Sequence, residues 1–139
     1  MHIINSCRYE IPLEPVAWKA HSGYGSRSFN PRYKEKEAFQ WYLRKSHDQE
    51  ELFTGPLMVE FLFEMPIPKS FSKKKRKLIE DGERIFHTKR KDLTNCIKFT
   101  EDCLKGVVIE DDNCICIMKA QKYYSLNPKV IIHLYSMEN

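Results

Sequence analysis

The stretch LMVEFLFEMPI, residues 57–67, constrains the fold more than any other. Its aromatic, branched and long apolar side chains predict a strong strand. Gly55-Pro56 breaks the chain before it, and Pro66 and Pro68 interrupt its end, because proline cannot donate to a ladder. Other segments supply company for it. Residues 3–11 predict a first strand, with Arg8 and Glu10 alternating against Cys7, Tyr9 and Ile11. A short strand is expected over 107–109, a turn over 110–113, and longer strands over 114–124 and 130–137. Asn127-Pro128 separates the last two and suggests a hairpin-like pair. The strands at 57–63 and 130–135 are equally candidates for core and for interface.

Helices fall between the strands. One is expected over 31–46, with Pro31 as its first residue and Asn30 as its cap. A short basic helix reads over 70–81, closed by Gly82, and a third over 93–105, ended by Gly106. Residues 18–31 (WKAHSGYGSRSFNP) read as a loop that carries Lys19, His21 and Arg27. Strands and helices are mixed rather than strictly alternating. The expectation is an α+β fold with a mixed β-sheet and packed helices, forming one domain over residues 1–139. The 42 % hydrophobic content suffices for a modest core and excludes a disordered chain.

No apolar run approaches the ~18–20 residues that a membrane span needs. The first residues lack the basic and apolar regions of a secretory signal, so the chain is expected in the cytoplasm. The five cysteines, Cys7, Cys96, Cys103, Cys114 and Cys116, argue against a disulfide framework there. A zinc module would need Cys96 and Cys103 together. Seven residues of helix separate them by roughly 10 Å along the axis, too far for two sulfurs about 2.3 Å from one zinc. Buried thiols are the expectation.

Charge is distributed unevenly. Six of the nine residues from Lys69 to Lys77 are basic, and Lys89-Arg90-Lys91 follows, while Glu110-Asp111-Asp112 gathers acid. Such basic clusters are a common footprint of nucleic-acid binding, although a solvated surface has the same look. Asp92 stands where a helix cap belongs. At ~100° per residue, Leu93, Ile97, Thr100 and Leu104 share one side of the third helix. Asn95, Lys98 and Asp102 share another. A short return after the helix is expected to bring the acidic turn beside the helix's N-terminal end. Carboxylates gathered there suit a hard cation such as Mg²⁺. A cation beside held phosphates, with a lysine to stabilise developing charge, describes metal-dependent phosphodiester hydrolysis.

FEMPIPKSFSKKKR at 63–76 and HTKRKDLTNCIKFTEDCLKGVVIEDDNCI at 87–115 carry a resemblance. The chain resembles the RusA-type Holliday-junction resolvases, in particular their phage-like branch. The similarity extends more weakly to EPVAWK and to the loop ending FNPR. The resemblance implies a homodimeric endonuclease that binds branched DNA, the four-way junction, and cuts it with Mg²⁺ or Mn²⁺ in recombination and repair. It implies Asp92, Lys98 and Asp112 as catalytic residues and Asp92, Asp112 and Asp111 as metal ligands. Asn95 and Asp102 match further motif positions. Lys19, Arg27, Lys69, Lys73, Lys74, Lys75, Arg76, Lys89, Arg90 and Lys91 are expected to hold DNA phosphates.

The family pattern Asp-x-Asp-Asn-x-x-Lys is broken at Thr94, which offers a hydroxyl where a carboxylate is expected. Thr94 could still contact a metal-bound water, or Asp102, Glu110 or Asp111 could replace the missing acid. The alternative is a protein on the same fold that binds branched DNA without cutting it.

Overall fold

The computed structural model describes residues 2–21, 23 and 28–139. In chain order they form β1 (Ile3–Ile11), α1 (Tyr33–Ser46), β2 (Leu57–Pro66), α2 (Lys73–Glu80), α3 (Leu93–Leu104), β3 (Ile115–Ser125) and β4 (Lys129–Met137). The four strands make one mixed sheet in the order β1-β4-β2-β3. Strand β4 runs antiparallel to both β1 and β2, whereas β2 and β3 are parallel. This is the expected α+β architecture.

The pairing of the last two strands differs from expectation. β3 and β4 are not neighbours, because β2 lies between them. The physical reason is the apolar content of β2. Leu57, Val59, Phe61, Phe63 and Met65 are buried, and the residues between them are at most half exposed. Such a strand belongs inside a sheet, with a neighbour on each edge. Parallel β2 and β3 need a long crossover, and residues 67–114 supply one that carries α2 and α3.

Cross-strand register stacks the core. Tyr9, Ile132 and Phe61 lie in one row, with Ile11, Val130 and Phe63 in the next. All six are essentially inaccessible to solvent. The two long helices add Phe39 and Leu43 from α1 and Cys96, Phe99, Cys103 and Leu104 from α3 to the same cluster. Phe39 and Phe99 meet edge to face at 5.9 Å. Each such side chain contributes about 1.5–3 kcal/mol by leaving water. The other sheet face is mixed: Ile131 is buried there, and Glu10 sits between Arg8 and Lys129, each 3.1 Å away.

Local signals explain the element ends. The Asn30 side chain accepts from the Arg32 N–H at 2.9 Å, and its carbonyl accepts from Tyr33. Pro31 and Arg32 therefore sit in a turn, and α1 begins two residues later than expected. Ser72 accepts from the Lys75 N–H and starts α2 at Lys73. The strand expected over 107–109 is a tight turn instead. The N–H groups of Val107, Val108 and Ile109 all donate to the Leu104 carbonyl, which consumes the donors a ladder would need. Gly106, at φ +76°, makes that reversal possible.

Candidate metal and nucleic-acid site on α3

Asp92 occupies the N-cap position of α3, and its carbonyl accepts from Cys96. Its exposed carboxylate makes no capping hydrogen bond, so it is left for other work. Five buried residues of α3, among them Cys96, Phe99 and Cys103, turn toward the core. This fixes the outward face, which carries exposed Thr94 and Lys98 and half-buried Glu101 and Asp102. Cys96 and Cys103 are buried free thiols, and burial pushes the Cys103 thiol up to about 12.

The acidic turn approaches a different part of the helix from the one expected. Asp111 lies 3.8 Å from Lys105, and the charge of Asp112 acts on Glu101. Lys105 is the C-cap of α3 and Glu101 lies in its last turn, so the acids meet the C-terminal end of the helix and not its N-terminal end. The reason is the turn at 106–109, which folds the chain straight back on the last helical residues. Asp92 stands nine residues from Glu101, roughly 13 Å along the axis. The single helical turn Asp112–Cys114 then presents the acids, with the Asp111 side chain accepting from the Asn113 N–H.

Glu101, Asp111 and Asp112 are electrically linked. Burial, then the charges of Asp112 and Asp102, push the Glu101 carboxyl above its usual range. A hydrogen bond between the two aspartates lowers Asp111 and raises Asp112. Glu101 is the site residue that the motif did not reveal. Helical spacing contains the signal, since Glu101 lies one turn after Lys98. The donors are all carboxylate oxygens, which suits a hard cation. Among the described residues, no three His, Cys, Asp or Glu side chains stand close enough to hold one ion. A protein that contributes one or two carboxylates and leaves the remaining positions to water and phosphate fits Mg²⁺.

The basic residues fall into two groups, the lead-in to this helix and α2. Residues 85–87 run along β3, joined by Tyr124 N–H to Ile85 and His87 N–H to Lys122. The Lys122 ammonium then donates to the carbonyls of Lys89 (2.9 Å) and Lys91 (2.7 Å), which fixes the lead-in to α3. Lys89 and Arg90 are exposed. Lys91 turns inward and donates to Pro15 (2.6 Å) and Glu14 (3.3 Å), so its charge is engaged within the protein. The second group is on α2. Phe71, just before it, packs on Tyr124 at 4.7 Å and carries Lys75 over its ring. Tyr124 also meets His87, so α2 and the lead-in share one anchor. Arg76 is paired with Glu80 in the structure, whereas Lys69, Lys73 and Lys74 are exposed. Lys19 is exposed, and Arg27 lies outside the described residues.

A small α+β domain that sets an oxygen-donor cluster beside a lysine and a basic lead-in has the parts of phosphodiester chemistry. Residues 16–135 match the family model described as Endodeoxyribonuclease RusA, and the chain belongs to the RusA family. It is also 34 % identical over 86 residues to YqaN of Bacillus subtilis (strain 168), a protein described as uncharacterized. That match spans 60 % of this chain and 60 % of YqaN. Among the described residues, no helix is long and apolar enough to cross a membrane.

Proposed function

We propose that the protein is a divalent-metal-dependent endodeoxyribonuclease that resolves four-way DNA junctions as a homodimer. The observation that carries this reading is the outward face of α3, where Lys98 stands one turn before Glu101, the charge of Asp112 acts on Glu101, and Asp111 lies 3.8 Å from Lys105. Bound Mg²⁺ or Mn²⁺ would polarise a phosphoryl oxygen and lower the pKa of an attached water. Asp111 and Asp112 would supply one or two carboxylates to that ion, with water and phosphate filling its remaining positions. Lys98 would donate to the phosphoryl oxygens as charge grows on them. Asp92, roughly 13 Å farther up the helix, would stand outside that ion's shell. Lys89, Arg90, Lys69, Lys73, Lys74, Lys75, Arg76, Lys19 and Arg27 would hold the flanking phosphates without reading bases, as a structure-selective enzyme requires. A two-fold dimer would set two such sites on the two symmetric strands of a junction.

Incubation of a labelled four-way junction with the protein and Mg²⁺ or Mn²⁺ tests the reading. Paired symmetric nicks are expected, and they should disappear in Asp112→Asn. Intact junctions at every metal concentration would refute it. Junction affinity should fall steeply with salt, and Lys73→Ala and Lys74→Ala should each reduce the slope by about one. Thr94 favours one other reading, a junction-binding protein that does not cut. Binding without nicking by the native chain, with nicking restored in Thr94→Asp, would select it.

A further inference from the structure

Residues 14–18 form a strap that three separate elements hold. Lys91 donates to the Pro15 carbonyl at 2.6 Å. From α1's N-cap, Arg32 donates through Nε to the Ala17 carbonyl at 3.2 Å. The Trp18 N–H donates to the Asn95 carbonyl in the first turn of α3 at 2.9 Å. Pro15 is buried, and Val16 and Trp18 pack against the core. The strap thereby places the Trp18 ring 3.5 Å from the Lys98 ammonium, measured to the ring centroid.

The partner of Lys98 is informative because carboxylates are close at hand. Glu101 and Asp102 lie one helical turn away, at the spacings where ion pairs form on helices. Yet among the described residues Lys98 makes no salt bridge, and its ammonium rests on the indole. The two partners have different consequences. A carboxylate would neutralise the ammonium and occupy its N–H groups. An aromatic face attracts the cation through its quadrupole and leaves the charge in place. An ammonium held in this way keeps donors for a phosphate while losing the freedom of a four-carbon stem.

We propose that Trp18 is a positioning residue, whose indole face holds Lys98 beside the acidic end of α3 with its charge unspent. This deepens the endonuclease reading above and, for its effect on cleavage, rests on it.

The test is a double-mutant cycle of Trp18→Leu and Lys98→Gln on single-turnover junction cleavage with Mn²⁺. It is run in the native chain and in Thr94→Asp, with Trp18→Phe as the conservative replacement. NMR of the DNA-free protein reads the Lys98 Hε protons. Ring-current shielding should place those protons upfield of exposed lysines, and Trp18→Leu should return them. Trp18→Leu should slow cleavage roughly 2- to 30-fold, the span from an exposed to a desolvated cation–π contact. Trp18→Phe should recover most of the rate, and the effect should vanish in Lys98→Gln. Unshielded Lys98 protons in the native protein would overturn the proposal. So would an equal loss in the Lys98→Gln background, which would make the strap merely structural. If neither background cleaves while the shielding persists, the endonuclease reading fails, and positioning is decided on junction affinity. Coupling of the two substitutions there upholds it, and additivity overturns it.

Discussion

Replacing Lys122 by methionine tests how the basic lead-in is held. The stem keeps its apolar contacts, and the ammonium is lost. Two carbonyls then lose a charged donor: Lys89, which is exposed, and Lys91, which is partly buried. Water can replace the first contact at small cost. The second leaves a partly buried acceptor unsatisfied, and such a loss costs about 1–3 kcal/mol. Some repulsion is relieved, because Lys122 lies against Lys89, Arg90 and Lys91, but exposed charges contribute only ~0–1 kcal/mol. The net expectation is a destabilisation of about 1–2 kcal/mol. Urea unfolding at neutral pH reads it as a lower midpoint with unchanged slope. Hydrogen exchange should show the Lys122 effect concentrated in residues 87–92. A loss below about 0.5 kcal/mol, the scale of an ordinary surface substitution, would refute the claim that Lys122 fixes this segment.

Three further outcomes are expected. Phe99 is 3 % exposed and packs edge-on to Phe39, so Phe99→Ala should cost about 3–5 kcal/mol, read by denaturant unfolding. His87 is buried against Tyr124, and burial followed by the Lys122 charge holds its pKa below the usual value. The unfolded chain therefore takes up a proton that the folded chain refuses. Stability should be complete above the unfolded value of about 6.5 and decline as pH falls from there toward the folded pKa. Urea midpoints at acidic and neutral pH should differ less in His87→Phe than in the native chain. Thr94→Asp adds an acid to the first turn of α3, which has none, so it should leave stability in EDTA within about 1 kcal/mol. Excess Mg²⁺ should raise its thermal midpoint more than that of the native chain, and equal shifts would place the added carboxylate outside the ion's reach.

Local chemistry made most elements legible from sequence. Alternation in 3–11 marked β1, Gly82 and Gly106 marked helix ends, and the apolar run after Gly55-Pro56 marked β2. Partner choice was not legible. A three-residue link at 126–128 looks like a hairpin, and only the need of β2 for two neighbours reveals why β4 passes beyond it. The site divides in the same way. The motif singled out Asp92, Lys98 and the acidic pair as candidates, and the family match spans the residues that carry them. It did not show that the turn after Gly106 delivers the acids to the C-terminal end of α3 rather than toward Asp92. Nor did any local pattern tie Trp18, eighty residues earlier in the chain, to Lys98.

The sheet order also governs how the molecule can be assembled. β4 joins β1 to β2, and Ile3 pairs with Met137. Until those last nine strand residues arrive, β1 has no partner and β2 has one bare, strongly apolar edge. A chain emerging from the ribosome must therefore wait for its C-terminal strand before the sheet exists as one piece. Such long-range closure slows folding and leaves an unpaired edge open to other chains meanwhile. A deletion of residues 129–137 would thus do more than shorten the protein. It would cut the sheet into a lone strand and a two-stranded ribbon, with the α3 site attached to the ribbon alone.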